Sequence, residues 1–460
     1  MSEEDKKSRL VVLNVVGLCR RDLAEMTFLD QWSKERDQVS FKPEFPAVTC
    51  SAQATYLTGR DVSEHGIVGN GWYDREEAEV KFWKQSNHLV KGEKLWENLR
   101  RDDSSYRCAK WFWWYNMYSS ADYSMTPRPM YPADGRKVFD VYAQPLSLRD
   151  EVKEEHGNFP FPAFWGPRAG IGSSRWIAKT ALWIEEKESP NLNLVYLPHL
   201  DYSMQKFGPG SPEAALALTA LDKLLAEYIP KFEERGLEVV VLSEYGISKV
   251  ERSVALNRLF RKKGWVTIKN ELGRELLDCG ASKVFAVADH QVAHIYLNDS
   301  SLKDEVKALL AEVEGVAEVR EPWSGVGGER GGDLIAIAEE DTWFSYYYWE
   351  DDELAPDFAR TIDIHRKPGY DPAELFIDPD VTFPPLKVGA FLAKKKMGFR
   401  GMLEVIPLDG DRVKGSHGRD DVPEEEQPVL IGREISSVAQ AKDVFTYLRG
   451  RAKALASGKS

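Results

Sequence analysis

Cysteine is scarce in this 460-residue chain: Cys19, Cys50, Cys108 and Cys279 stand far apart, and no CxxC pair occurs. Scattered thiols of this kind exclude a disulfide framework and a cysteine-based zinc site, and they suit a reduced compartment. Long apolar runs are missing too. The stretch "MSEEDKKSRLVVLNVV" is charged and then apolar for only a few residues. It is too short for a membrane span, and its flanks do not suit a signal peptide, so the expected location is the cytoplasm. Excess positive charge is also missing. The formal net charge is −13, which argues against a nucleic-acid backbone or an anionic membrane as the main partner, because both call for a basic face. A small phosphate ester stays open as a partner, since a metal ion or a helix terminus overrides net charge locally. No internal repeat is present. The Gly-rich stretch "SGVGGERGGD" (324–333) lacks the Lys-Ser/Thr ending of a phosphate-cradling loop, so a flexible hairpin tip is expected there.

What is present is an ordinary globular composition, 43% hydrophobic and 29% charged, in a chain long enough for a large core. The β-branched runs "LVVLNVV" (10–16), "LNLVYL" (192–197) and "LEVVVL" (237–242) read as fully buried strands of a parallel sheet. Between the last two, Ser211 is placed to cap a helix, Pro212 occupies its first position and Gly236 stops it. Strand, helix and strand in that order form a βαβ unit. Residues 283–345 change pattern and read as a small α+β insert. The chain then returns through "GMLEVIPL" and ends in a charged helix from about 435. The fold class is therefore α/β, with a mostly parallel central sheet flanked by helices.

In such sheets, ligands bind beyond the carboxyl ends of the strands. The residues there are "GLCRRD" after the first strand, "PHLDYSMQKFGPG" after the second and "SEYGIS" after the third. Thr49, in "FPAVTCSAQATYLTG" (45–59), precedes a helix expected to begin near Ser51. Read alone, Thr49 is most simply a helix cap. A helix N-terminus is also where an anion is stabilised.

The segment "PAVTCSAQATYLTGRDVSEHGIVGN" (46–70) resembles the nucleophile segment of the type I phosphodiesterase / nucleotide pyrophosphatase branch of the alkaline phosphatase superfamily. Thr49, Thr58-Gly59, His65-Gly66-Ile67 and Asn70 fall at that branch's spacings. "LDYSMQKFGP" (200–209), "LSEYGIS" (242–248) and "GSHG" (415–418) match, in order, the family's metal-ligand segments. The resemblance implies an alkaline-phosphatase-like three-layer sandwich with a core over 8–280 and 376–455. It further implies an inserted subdomain over 281–345, an aromatic "KPGYDP" connector over 346–375 and flexible termini at 1–7 and 456–460.

The implied activity is hydrolysis of a phosphoric ester, of phosphodiesterase or nucleotide pyrophosphatase type. Thr49 would be the nucleophile, Asn70 would hold a phosphate oxygen, and one or two divalent ions, with zinc favoured, would activate the hydroxyl. Asp201 and His417 match two ligands of one metal site, with Gln205 standing where a His is usual. At the other site Glu244-Tyr245 replaces Asp-His, and Val16 replaces an Asp. Replacement ligands or pocket residues are offered by His199, Tyr245, Asp289, His290, His294, Asp363, His365 and Asp371, although each has a plain structural reading. Trp72 and Tyr73 follow Asn70 closely and are the expected aromatic pocket residues, whereas "WFWWYNMY" (111–118) reads as a buried strand. Two alternatives accompany the hydrolase reading. One is a pseudoenzyme that binds a phosphorylated metabolite or a protein partner. The other is a phosphonate or sulfate ester hydrolase, or a phosphoryl transferase, of the same superfamily.

Overall fold

The computed structural model describes residues 9–134 and 136–458. Its main strands are β1 (Arg9–Val15), β2 (Asp37–Ser40), β3 (Cys108–Trp111), β4 (Tyr123–Pro127), β5 (Val141–Gln144), β6 (Leu192–Leu197), β7 (Leu237–Leu242), β8 (Val284–Asp289), β9 (Val292–Leu297), β10 (Val316–Arg320), β11 (Leu334–Ala338) and β12 (Val429–Gly432). The helices that matter most are α1 (Thr49–Thr58), α2 (His199–Phe207), α3 (Pro212–Glu234), α4 (Lys303–Ala311), α5 (Gly325–Arg330), α6 (Pro384–Lys396) and α7 (Asp443–Ala456).

An eight-stranded sheet carries the structure, in the order β2-β12-β7-β1-β6-β3-β4-β5. The central pairs β7/β1, β1/β6, β6/β3 and β3/β4 are parallel, and antiparallel pairing is confined to the two sides. The apolar runs explain this placement. β1, β6 and β7 are each flanked by strands on both edges and by helices on both faces, so nearly every side chain in them is buried. Each buried Val or Leu contributes roughly 1.5–3 kcal/mol relative to exposure. The helix expected after Ser211 forms as α3, and the Ser211 hydroxyl accepts a hydrogen bond from the Ala214 N–H at 3.1 Å.

A second sheet, β8-β9-β11-β10, is antiparallel throughout. Its core also takes in Tyr73, Phe82, Phe260 and Tyr370 from outside the insert segment.

Three local expectations are corrected. The Gly-rich stretch is not a hairpin tip: Gly325–Arg330 forms α5 and packs on the turn Val62–His65. Gly327 makes this approach feasible, because a Cβ there would lie 2.6 Å from the Val62 carbonyl oxygen. The aromatic run 111–118 is strand only to Trp111. Beyond it, Phe112, Tyr115 and Tyr118 take positive φ, and the buried Asn116 amide closes the turn on the carbonyls of Lys110 and Met125. The last helix begins at Asp443 rather than near 435. The expected flexible termini lie mostly outside the described residues. Of 456–460, Ala456 closes α7 and 457–458 form a turn.

Candidate active site

Polar side chains gather where the strands end. β1 contributes Asn14. α2, which follows β6, contributes Asp201 and Gln205. The loop after β7 contributes Glu244 and Tyr245, and the first turn of α1 contributes Thr49. Val48, not Thr49, occupies the N-cap position of α1, and no side chain caps this helix. The cap reading of Thr49 is thereby corrected. Its hydroxyl lies 3.0 Å from the Tyr245 hydroxyl instead. Beside Tyr245 the chain passes tightly at Gly246, where a Cβ would sit 2.0 Å from the Glu426 carbonyl oxygen.

The second sheet completes the cluster. Asp289, the last residue of β8, accepts hydrogen bonds from the Asn70 backbone N–H at 2.7 Å and from its Nδ2 at 3.1 Å. This fixes the Asn70 side chain so that Oδ1 accepts the Cys50 N–H in the first turn of α1. His290 occupies the turn between β8 and β9 with φ 64. This left-handed conformation is unusual for a side chain of its size and marks a constrained position. Its Nδ1 meets Asp289 Oδ1 at 2.8 Å.

Four rings then stack into one column. Tyr370 lies on His290 with centroids 3.6 Å apart, His290 on His417 at 3.8 Å, and His417 on Tyr245 at 3.6 Å. His417 donates from Nδ1 to the Ala47 carbonyl at 2.7 Å, so Nε2 carries the lone pair. Nε2 has no hydrogen-bond partner among the described residues and faces Asp201 Oδ1 at 3.7 Å. Gln205 donates to the other Asp201 oxygen at 2.8 Å and accepts from the Tyr370 hydroxyl at 2.8 Å. Thr49, Asn70, Asp201, Gln205, Glu244, Tyr245, Asp289, His290 and His417 are each less than one-tenth exposed, so the cluster is closed to solvent.

The other expected residues lie elsewhere. His199 is buried beside Ala217 of α3. Asp363 pairs with Arg366 at 3.4 Å, and the exposed His365 sits 3.3 Å from the Phe82 carbonyl. His294 bonds the Val68 carbonyl at 3.0 Å. Asp371 is tied to Lys367 at 2.7 Å. Trp72 and Tyr73 are core residues: Trp72 packs in a cluster with Cys50 and Val62, and Tyr73 packs edge-on against Phe285 and Tyr296. Their nearness to Asn70 in sequence does not carry into the cluster.

Asn14 and Gln53 escaped sequence reading. Both amides donate to Glu244 Oε1, at 2.5 and 2.6 Å. The available signal for Asn14 was its being the one polar residue in "LVVLNVV". Val16, in the turn just beyond β1, is buried and apolar. The Asn14 amide grips Glu244 from two residues before the position where the family's Asp was expected.

These residues do not fit a two-metal centre. Among the described residues no group of three or more His, Cys, Asp or Glu side chains could hold a metal ion. Asp201 and His417 give two donors, short of the three protein ligands a catalytic zinc takes. The Asp201 oxygens are engaged by Gln205 and Tyr245, the Gln205 oxygen by Tyr370, and the Tyr245 ring covers His417.

Burial sets the electrostatics. It pushes the Glu244 carboxyl up to about 8, Asp201 to about 7 and Asp289 to about 6. It also pushes His290 and His417 well down, so both rings are neutral. One Glu244 oxygen, Oε2, is buried without a hydrogen-bond partner among the described residues. A testable consequence follows for Glu244→Gln. In the unfolded chain Glu244 ionises near its ordinary 4.5, whereas the folded chain keeps its proton to about 8. The folded state binds more protons across that window, so Glu244's contribution to stability falls as pH rises. Gln does not titrate. In urea melts, the stability of wild type relative to Glu244→Gln should fall steadily through this window and level off above it. The slope is at most on the order of 1.4 kcal/mol per pH unit. A gap that does not change with pH would show that Glu244 is ionised in the folded protein.

The sequence model of the type I phosphodiesterase / nucleotide pyrophosphatase family matches residues 10–371. An uncharacterized pyrophosphatase/phosphodiesterase of Schizosaccharomyces pombe is 26% identical over 230 residues, which are 47% of this chain and 40% of that protein. The match therefore spans less than half the length of that relative. Among solved structures, an inactive form of murine ectonucleotide pyrophosphatase / phosphodiesterase 5 in complex with AMP is similar with a TM-score of 0.58. Its identity is 14%, with coverage of 97% of this chain and 95% of that one. Phosphonoacetate hydrolase of Sinorhizobium meliloti in complex with phosphonoformate is similar with a TM-score of 0.56, at 15% identity and with coverage of 97% and 96%. At such identities these two likenesses speak for the fold. No helix among the described residues is long and apolar enough to cross a membrane.

Proposed function

Because the chain belongs to the type I phosphodiesterase / nucleotide pyrophosphatase family, we propose that it hydrolyses a small phosphoric ester with Thr49 as the nucleophile. The observation that carries this reading is the chain of groups from the Thr49 hydroxyl to the Tyr245 phenol, at 3.0 Å, and on to the Asp201 carboxyl, at 3.5 Å. Attack by Thr49 Oγ1 on phosphorus forms the P–O bond to threonine and breaks the bond to the leaving alcohol. The threonine proton passes to Tyr245, whose own proton passes to Asp201. A carboxyl pushed up to about 7 is matched to accept a proton near neutral pH. The leaving alkoxide takes up the proton that Asp201 has received; water then attacks the phosphothreonine, one of its protons passes to Asp201, and the threonine oxygen regains its proton through Tyr245.

Charge on the phosphoryl oxygens would be met by donors. The first turn of α1 offers backbone N–H groups, and Asn70 has an amide N–H beyond the one given to Asp289. Glu244, neutral at pH 7, can donate as a carboxylic acid. A bound metal would supply Lewis-acid activation of the hydroxyl in the implied chemistry. The donor set here is unsuited to hold one, and no step above is routed through it. Substrate access requires the Tyr245–His417 stack to part. That closed stack also favours a second reading, in which the cleft binds a phosphorylated ligand without turning it over.

Bound metal in the purified protein and hydrolysis of bis(p-nitrophenyl) phosphate, with and without EDTA, separate the readings. The expected result is substoichiometric metal and a rate that survives chelation. Stoichiometric zinc with a rate lost on chelation would overturn the metal-free arrangement. Absence of turnover in every condition would overturn hydrolysis in favour of binding.

A further inference from the structure

After Phe376 the chain leaves the body as an excursion that holds α6 and returns at Val405, whose N–H bonds the Arg360 carbonyl. No residue of α6 is buried. Leu386 is 71% and Leu392 56% exposed, and Phe383, Met397 and Phe399 flanking them are 65–67% exposed. Residues 383–402 also carry Lys387, Lys394, Lys395, Lys396 and Arg400 and no carboxylate, within a chain of net charge −13. A helix that exposes apolar side chains and a one-signed charge together marks an interaction surface rather than a solvated face.

We propose that the 383–402 excursion docks this protein on an anionic lipid surface. The charge is complementary to lipid phosphates, and lysine stems can lie along an apolar layer while their ammonium groups reach the headgroups. Charge complementarity argues for the lipid surface: five cations and no carboxylate in 383–402 face the phosphates of anionic headgroups. Leu386 and Leu392 are six residues apart, which places them about 120° apart around the helix. A spread of that width fits the single broad apolar face that an interfacial helix lays into the plane of the headgroups, and the half-buried Pro384, Val388 and Phe391 leave that face open. The thirteen residues of α6 extend about 20 Å, short of the ~30 Å hydrocarbon core, so the element seats in the interface without crossing. The expectation drawn from net charge, that an anionic membrane is disfavoured, is thus reversed locally. The excursion lies in the chain between Tyr370 and His417, both members of the ring column. The inference stands independently of turnover.

Flotation with vesicles of phosphatidylcholine, with and without phosphatidylglycerol, tests it. The protein is expected to float with the anionic vesicles at low salt, at least about tenfold more than with the neutral ones, and to be released at high salt. Leu386→Glu/Leu392→Glu should abolish flotation, and Lys394→Glu/Lys395→Glu/Lys396→Glu should remove the preference for anionic lipid. Both variants should melt like wild type, because the changed side chains are largely solvent-exposed. Three results would overturn the proposal: absence of flotation at low salt, flotation unchanged in both variants, or self-association of wild type in sedimentation that the leucine variant loses without any vesicle binding.

Discussion

Thr49→Ala should lower the rate of aryl phosphodiester hydrolysis by about 10³-fold or more, whereas Thr49→Ser should retain a measurable fraction of it. The alanine removes the oxygen proposed to attack, and it also breaks the contact with the Tyr245 hydroxyl. Loss of a single neutral hydrogen bond costs stability about 1 kcal/mol, so the variant should fold and its melting temperature should move little. The column of rings does not include Thr49 and should be undisturbed. A rate unchanged in Thr49→Ala would remove Thr49 from the chemistry and leave Tyr245, Asp201 and Glu244 to be tested as activators of a water nucleophile. Trapping a phosphothreonine by rapid acid quench during turnover, and its absence in the alanine variant, gives a readout that packing alone would not produce.

The largest effect on stability is expected at Lys367. Its ammonium is 2.7 Å from Asp371 and 2.7 Å from Glu374, and the three side chains are no more than 1% exposed. Lys367→Met keeps most of the volume but leaves two carboxyl groups without their shared cation in a dry site. Removing one partner of a buried ion pair costs about 3–5 kcal/mol, visible as a lowered urea midpoint with little change in slope. Glu374→Gln should cost less. The amide keeps an oxygen to accept from the Trp165 indole or the Asp363 N–H, which the carboxylate now bonds at 2.6 and 3.0 Å. If Lys367→Met melts like wild type, the two carboxyl groups must carry protons in the folded state. The "KPGYDP" segment thus serves as a structural clamp, and its Tyr370 reaches into the candidate site.

The sheet was legible because strands buried on both faces must be apolar along their whole length, as "LNLVYL" and "LEVVVL" are. The long helix was legible because its cap, first-turn proline and terminal glycine are local signals. Thr49, Asn70, Asp201, Glu244, Tyr245, Asp289, His290 and His417 could be named because each lies in a short motif or beside one. What the motifs could not convey is how these residues meet. The stack of Tyr245, His290, Tyr370 and His417 depends on four loops from distant parts of the chain. Likewise, the grip of Asn14 and Gln53 on Glu244 depends on one strand register and one helix face. Trp72 and Tyr73 show the converse error, since adjacency to Asn70 along the chain says nothing of which side of the backbone a ring takes. In the Gly-rich stretch, composition alone suggests a flexible tip, whereas Gly327 permits close packing on Val62.

The ring column also has a consequence in time. A chain leaves the ribosome from its N-terminus, at about 5–20 residues per second, so Asn14 and Thr49 emerge well before His417. Before His417 appears, β1, β6 and β7 are already available to pair, yet the column lacks a ring and β7 lacks its neighbour β12. Chains released at that stage would carry Thr49 and Tyr245 without the completed ring column.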